Sequence, residues 1–592
     1  MCGIGGIINR GGKPVDPILL ENLREALLHR GPDGSGRYVS GPVGFVHTRL
    51  AIVDLVTGDQ PLYTPSGLCL IGNGEIYNNP ELRAELSDVN FRTRSDCEPP
   101  LYLYERMGSA FAGRLRGMYA LALHDPANNR VLLARDPFGI KPLYIVETAD
   151  GIAFASEPQS LIAAGLAKAA LDRKALASFL QLKFSTGQGT VFPGIRRLLP
   201  GETVVIEDGR IVESRIRPAL PAEEPRHEGT AGALDRLEKA MTDSVMVHQR
   251  SDVPYGLFLS GGIDSATVLA LMARLNDRPV VCLTAGFPDA RIADERSEAS
   301  RLARMVGAEH EEITFTEADF WSTAPQVAAA LDDPTADYAV LPTFKLAQRA
   351  RQRGLKVVLC GEGGDEILAG YSRYRRAQRP WWMFGRRPRN SGIFDDFDGL
   401  LTLPVDGWRD GIAAAEKAAE VNGRSKLQRL QAADCAEWLP NDLLNKLDRC
   451  LMANGVEGRT PFLDPVVAEA GFLMPDRLKI QGRMGKWILR TWLQKALPDS
   501  KAFAEKQGFD VPVGQWIARR GTELGPLVAA SPGVAEIARA DAVKTLFASG
   551  GKRAGLAAWT LLFYALWHRR HIQGLKPEGD VFHALDSAAR AA

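Results

Sequence analysis

Up to about residue 215, apolar and polar side chains alternate with period two between clusters of turn residues. MYALALHDPANNRVLLARD (118–136) predicts two strands around a Pro-Ala-Asn-Asn turn, and PLYIVETADGIAFASE (142–157) predicts a hairpin at Asp150-Gly151. Short helical stretches such as ILLENLREALLHR (18–30) interrupt the strands. The expectation is an α+β domain with antiparallel sheets over residues 1–214. Residues 215–230, RIRPALPAEEPRHEGT, set prolines among charges with little apolar content and read as a linker.

From about 231 the pattern changes to strand, tight loop, helix. YGLFL (255–259) reads as a buried strand, SGGID as the loop and SATVLALMARL (265–275) as the helix. PVVCLTAGF (279–287) is the next strand, ERSEASRLARMVG (295–307) the next helix, and LKVVLC (355–360) a third strand opening into a glycine-rich loop. Apolar strands alternating with helices indicate an α/β doubly wound parallel sheet within a domain 231–592. Beyond about 405 the periodicity is helical, and the terminal ALDSAARAA reads as a frayed tail. The apolar run 554–567 is shorter than the roughly 20 residues a spanning helix needs. It reads instead as a buried core helix ending in the cationic HRRH at 568–571, where the helix dipole favours positive charge.

A chain of 592 residues exceeds what one hydrophobic core usually supports, so two or more domains are expected. Lys+Arg 72 against Asp+Glu 71 excludes a protein built mainly to hold nucleic acid, which would be clearly basic. The seven cysteines are odd in number and lack C-x-x-C spacing, which argues against a disulfide framework or a structural zinc site. MCGIGGIINRGGK has no basic region followed by a long apolar stretch, so no secretory signal is expected and the expected compartment is the cytoplasm.

Cys2 directly follows the initiator methionine, whose removal would leave a thiol and a free α-amine on one residue. An amine of pKa about 7.7–8.0 is a suitable base for a thiol near about 8.5. Arg49 offers a planar fork for a substrate α-carboxylate. Asn73 and the Gly74 backbone N–H are two donors for an oxyanion formed when a thiolate attacks a carboxamide. Glu75 and Asp96 can hold an α-ammonium. MCGI, HRGPDGSG (29–36), RLAIVD (49–54), NGEIYN (73–78), SDCE (95–98) and RDPFGIKPLY (135–144) together resemble class-II glutamine amidotransferase domains of the N-terminal-nucleophile fold. That resemblance implies that Cys2 is the nucleophile and that Arg49, Leu50, Ile52, Val53, Asn73, Gly74, Glu75 and Asp96 bind glutamine. One departure is Pro99-Pro100 after SDCE, where a second proline should remove a helical hydrogen bond and disturb Asp96.

SGGIDS (260–265) follows a strand and opens a helix, where phosphates meet free backbone N–H groups. Gly261 and Gly262 permit close approach, Ser260 and Ser265 add hydroxyls, and Asp264 suits Mg²⁺ between phosphates. The chain contains no G-x-x-x-x-G-K-[ST]; Gly485-Lys486 is followed by Trp487. The loop is similar to the pyrophosphate loop of enzymes that cleave ATP to AMP and pyrophosphate. In GEGGDE (361–366), Glu362 and Asp365 should face the same crevice, Asp365 completing a Mg²⁺ shell and Glu362 orienting substrate or taking a proton from ammonia.

With VEGRTPFLDP (456–465), GRMGKWILR (482–490), KQGFDVPVGQW (506–516) and GEGGDEILAGY (361–371), the chain resembles glutamine-hydrolysing asparagine synthetases. The resemblance implies that Lys486 stabilises the adenylation transition state and that Leu259, Ala285, Cys360 and Gly361 line the ATP pocket. It also implies a homodimer and an internal ammonia path. Ala369 in place of a glycine and a drifting stretch 181–190 depart from the family pattern. The segment 372–389, SRYRRAQRPWWMFGRRPR, carries seven arginines beside Trp381 and Trp382 and reads as a solvated insertion or an anionic docking site. Arg459 or the arginines after Tyr371 are candidates for the base that holds an acceptor's α-carboxylate. The rival reading is an amidotransferase of the same architecture acting on a uronic acid. A silent regulatory homologue should have lost Cys2, Asp264 or Lys486, and all three are present.

Overall fold

Residues 2–216 form two six-stranded sheets. The first runs in the order Ile195–Arg197, Tyr144–Thr148, Gly151–Ala155, Cys2–Asn9, Val43–Arg49, Gly34–Ser40. The second runs Arg210–Ile216, Glu202–Glu207, Arg130–Arg135, Gly117–Asp125, Cys69–Ile76, Leu62–Tyr63. In this computed structural model, which describes residues 2–288, 295–379, 388–504 and 511–591, every pairing within those two sheets is antiparallel. Their facing sides interdigitate Ile4, Phe45, Ile71, Leu133, Phe154 and Val204 into one apolar layer. The outer side of each sheet is covered by a helix. Leu20 and Leu23 of Pro17–Leu27 join Ile7 and Val46, while Leu101 of Pro99–Met107 joins Tyr119 and Leu121. Burial on both sides explains why Gly117–Asp125 has no solvent-facing position. Gly5 is required by this closeness: a Cβ there would lie 2.7 Å from Leu23 Cδ2.

Both hairpins stand where the sequence places them. Pro99 and Pro100 do not break the helix. They open it, in the turn whose N–H groups have no helical partner, so no hydrogen bond is lost.

The chain leaves the second sheet at Ile216 and re-enters regular structure in the helix Thr230–His248. The third sheet is parallel and five-stranded, in the order Glu309–Thr314, Val281–Gly286, Tyr255–Phe258, Val357–Leu359, Glu457–Arg459. Two of these strands were not legible. EHEEIT is an edge strand with only Ile313 buried, so no apolar run announces it. EGR is buried throughout, because Arg459 Nε donates to Glu457 Oε1 at 2.6 Å and the two charges neutralise each other. LKVVLC is therefore the fourth strand in chain order, not the third.

The terminal ALDSAARAA is a correction: its residues 584–591 lie in the helix Val581–Ala591, whose Val581, Ala584 and Leu585 are buried. Phe582 meets Trp321 at 5.1 Å and Arg520 at 3.6 Å, anchoring what reads in sequence as a tail. The run 554–567 lies within the buried helix Lys552–His571. Its Trp559 and Trp567 donate to the carbonyls of Ala336 and Leu331 at 2.8 and 3.0 Å. Among the described residues no helix is long and apolar enough to cross a membrane.

Candidate active site

Cys2 opens the first strand and pairs with Arg49, which ends its neighbour. Its backbone N–H donates to Asn73 Oδ1 at 3.0 Å, and Arg30 Nε donates to its carbonyl at 3.2 Å. Burial pushes the Cys2 thiol up. The charged chain N-terminus and a hydrogen bond from the Leu50 backbone oppose that rise. Asn73 is fully buried, and its Nδ2 has no hydrogen-bond partner among the described residues. The residue that holds the Cys2 nitrogen therefore keeps an amide donor for another oxygen. Next to it, Gly74 has φ 159°, and a Cβ would lie 2.1 Å from the Met118 carbonyl oxygen, so only glycine fits.

Asp96 Oδ2 accepts from the Ile76 N–H at 2.6 Å, and the prolines that follow open the next helix rather than interrupting it. Its carboxyl is pushed up to about 6, chiefly by burial. Glu75 is raised well above the carboxylate range by burial and by Asp96, with Arg459 opposing. Arg49 turns its guanidinium to Asp59 Oδ1 at 2.6 Å and to the Asp54 carbonyl at 2.5 Å. Leu50 and Ile52 are buried and Val53 half-buried, all three against the core of the second domain.

Arg459 requires a correction. The sequence offered it as a base for the acceptor. In the structure it is fully buried, with Nη2 3.1 Å from Glu75 Oε2, Nε on Glu457, and Nη1 on the carbonyls of His248 and Arg250. A residue of the second domain thus supports the first site. Of the arginines after Tyr371, Arg373 and Arg389 are also committed elsewhere. Arg373 lies 3.6 Å from the Tyr371 ring centroid and pairs with Asp434 at 2.8 Å, and Arg389 pairs with the same carboxylate. Trp381, Trp382 and the whole of KQGFD (506–510) lie outside the described residues.

The second site gathers at the carboxyl ends of Tyr255–Phe258 and Val357–Leu359. Ser265 Oγ accepts from the Ser260 N–H at 3.1 Å, and Ser260 Oγ accepts from the Gly262 N–H at 3.1 Å, which closes the 260–265 loop onto the helix Ile263–Leu275. Lys486 reaches in from a distant segment. Its Nζ is 2.5 Å from Asp264 Oδ2 and 2.5 Å from Asp365 Oδ1. Lys486 is left-handed at φ 53°, a strained setting for a side chain, at the start of Trp487–Ala496. Leu259, Ala285 and Cys360 are buried behind the loop, and a Cβ on Gly361 would stand 3.0 Å from Asp264 Cβ. Glu362 is half-buried; burial raises its carboxyl, Lys446 opposes, and Asp264 adds. The glycine position noted in sequence is held by Ala369 at φ 58°.

Sequence reasoning missed the connection between the sites. Arg30, fully buried, holds the Cys2 carbonyl and also donates to Glu157 at 2.6 Å and to Asp448 at 2.8 and 3.0 Å. Asp448 belongs to the helix Asn445–Met452 of the second domain. HRGPD exhibits the arginine, but no spacing rule joins it to a carboxylate 418 residues away.

Two family models match this chain: one described as asparagine synthase over residues 236–569, and one described as glutamine amidotransferase domain over residues 1–216. The asparagine synthetase (glutamine-hydrolyzing) 1 of Bacillus subtilis is 30% identical, with 97% of each chain covered. The asparagine synthetase B (glutamine-hydrolyzing) of Escherichia coli is 30% identical over 87% of this chain and 83% of its own. A Mycobacterium tuberculosis relative is 32% identical, with 92% of each chain covered.

Proposed function

The chain belongs to the asparagine synthase family, and we propose that it forms asparagine from aspartate, ATP and the amide nitrogen of glutamine. The observation that carries this reading is the coexistence of two unlike centres: Cys2 beside Asn73, and Lys486 between Asp264 and Asp365.

In the first, the α-amine of processed Cys2 takes the thiol proton and Sγ attacks the glutamine carboxamide. Asn73 Nδ2 and the Gly74 N–H donate to the resulting oxyanion. Glu75 and Asp96 attract the α-ammonium, and Arg49 faces the α-carboxylate. Ammonia leaves with the proton, and water releases glutamate from the thioester.

In the second, the β-carboxylate of aspartate attacks the α-phosphorus of ATP and pyrophosphate departs. The 260–265 backbone cradles the phosphates, and Lys486 places its charge on the oxygens that gain charge. Asp264 and Asp365 converge on one ammonium, a donor set that also suits a hard divalent cation. They would hold Mg²⁺, which would supply positive charge against the departing pyrophosphate. Ammonia then attacks the acyl-adenylate carbonyl, Glu362 accepts its surplus proton, and AMP leaves.

The test is to incubate the protein with ATP, Mg²⁺, glutamine and a panel of carboxylates. Aspartate should yield AMP, pyrophosphate and asparagine in equal amounts. Glutamine hydrolysis without aspartate-dependent AMP refutes the acceptor.

A further inference from the structure

The turn that carries Asp365 is held from behind by two residues that no step above uses. Gln431, on the helix Lys426–Ala433, and Lys479, at the end of Asp476–Lys479, are fully buried. Lys479 Nζ donates to Gln431 Oε1 at 3.0 Å and to the Phe472 carbonyl at 2.6 Å. Gln431 Nε2 in turn donates to the carbonyls of Glu366 and Ile367 at 2.6 and 2.7 Å. Backbone carbonyls accept and lysine N–H groups donate, so both ends of the Gln431 amide fix which way it points.

The two carbonyls lie where the turn needs donors. Gly364–Ile367 is a single turn of helix, and a helix end leaves its last carbonyls without intrahelical partners. Those of Gly364, Asp365 and Leu368 accept from the N–H groups of Leu368, Gly370 and Lys486. Gln431 supplies the donors for Glu366 and Ile367, the two residues that follow Asp365. The same turn packs directly on Lys486, whose Nζ is 2.5 Å from Asp365 Oδ1. A Cβ on Gly370 would lie 2.2 Å from Lys486 Cε. A displacement of the turn therefore moves Asp365 relative to that lysine.

A fully buried lysine is ordinarily paired with a carboxylate, yet both acceptors of Lys479 are neutral. Burial pushes its ammonium down to about 7, with Asp476, three residues earlier, opposing. A neutral amine carries two N–H groups, which match the two acceptors one for one. The element that bears Lys479 is pinned to the helix of Gln431 a second time: Ser425 Oγ, which caps that helix, donates to Asp476 Oδ1 at 3.0 Å. What Lys479 contributes is therefore a fixed direction for the Gln431 amide rather than an ion pair.

We propose that Gln431, oriented by Lys479, is a positioning residue for adenylation, holding the 364–367 turn so that Asp365 stays against Lys486. The proposal rests on the reading of the 260–265 loop, Asp365 and Lys486 as the adenylation centre. Neither residue of the relay touches substrate. Both act through the placement of one carboxylate, and a misplacement of about 1 Å costs on the order of 10²-fold in rate.

The experiment is aspartate-dependent exchange of pyrophosphate into ATP by the full chain with Mg²⁺, with glutamine hydrolysis measured on the same preparations. Gln431→Glu keeps the shape of the side chain and its partner Lys479 but turns an acceptor onto the two carbonyls. Its kcat for exchange should fall about ten- to hundred-fold. The KM for ATP and the rate of glutamine hydrolysis should stay within about two-fold, which also reports that the variant is folded. Lys479→Met should lower kcat in the same sense. Gln431→Met combined with Lys479→Met should be no slower than Gln431→Met alone, because the two residues act in series. Additive losses in the combined variant overturn the relay. So does a loss of exchange matched by an equal loss of glutamine hydrolysis, which would make the pair a support of the fold, or a change confined to the KM for ATP. A wild-type protein without aspartate-dependent exchange refutes the adenylation reading and the proposal falls with it, whereas wild-type exchange that Gln431→Glu leaves unchanged refutes the proposal alone.

Discussion

Arg459→Met separates two incompatible readings of one residue. Sequence order places Arg459 in the synthetase domain, whereas its guanidinium holds Glu75 at 3.1 Å and Glu457 at 2.6 Å. The substitution removes one charge-assisted hydrogen bond from Glu75, worth about 1.5–3 kcal/mol when donor and acceptor are both buried. At about 1.4 kcal/mol per decade this predicts a fall of roughly 10–100-fold in kcat/KM for glutamine. The direction follows from Glu75 itself. Burial already raises its carboxyl and Arg459 opposes the rise, so removing Arg459 raises it further. A larger fraction is then neutral near pH 7, and the acid limb of the glutaminase profile moves to higher pH. Ammonia-dependent synthesis does not use Glu75 and should stay within a few-fold. The assay is glutamate release against ammonia-dependent AMP formation, across pH, on the same preparation. Loss of ammonia-dependent synthesis with glutaminase intact would refute the reasoning and return Arg459 to the acceptor.

Cys2→Ala should abolish glutamate release while leaving synthesis from ammonium salts near the wild-type rate, read by AMP formation with each nitrogen source. Lys486→Ala should lower adenylation by about 10²–10³-fold with glutamine hydrolysis retained, because a charge aimed at the transition state is lost; unchanged pyrophosphate exchange would show that the ion pairs to Asp264 and Asp365 are structural only. Asp434 is buried, its burial offset by Arg389 and Arg373, so its carboxyl is held below the ordinary value. Its contribution is complete above about pH 3.9 and is lost as pH falls through the depressed value. Asp434→Asn should cost about 3 kcal/mol at neutral pH, and a melting curve should show that cost shrinking on acidification.

Legibility in the sequence tracked how much of a residue's environment is local. Gly117–Asp125 and Arg130–Arg135 were readable because each is a short apolar-rich run bounded by the turn residues between them. The 260–265 loop was readable because strand, glycines and helix lie in one continuous stretch. Glu457–Arg459 was not, since three residues ending in a charge carry no apolar signal, and their burial depends on a glutamate in another domain. The helix Val581–Ala591 was missed for a related reason. Its last turns hold only small or polar residues, and the contacts that hold its start, Trp321 and Arg520, are remote in sequence. Arg459 shows the cost of reading a residue by its neighbours in the chain. It sits beside a synthetase motif, yet its donors serve the other domain.

The same remoteness explains why the two centres form one unit. Arg30–Asp448, Arg459–Glu75 and Arg116–Asp464 each cross from the first domain to the second with at least one partner buried. Such pairs add little net stability against a well-packed apolar interface, because desolvation offsets attraction. What they impose is register, since sliding one domain would strand several charges at once. The helix Asn445–Met452 makes that register functional: Asp448 grips the arginine that holds the Cys2 carbonyl, and Lys446, two residues earlier, pairs with Asp337 at 3.5 Å while its charge opposes the rise of the Glu362 carboxyl. A shift of this helix must therefore move both sites together. Breaking only the grip, as in Asp448→Asn, should uncouple them. Arg30 keeps Glu157, so the variant folds, but the ratio of glutamate released to AMP formed should rise above one. A ratio that stays at one while both rates fall alike would show that the helix supports the fold without joining the two reactions.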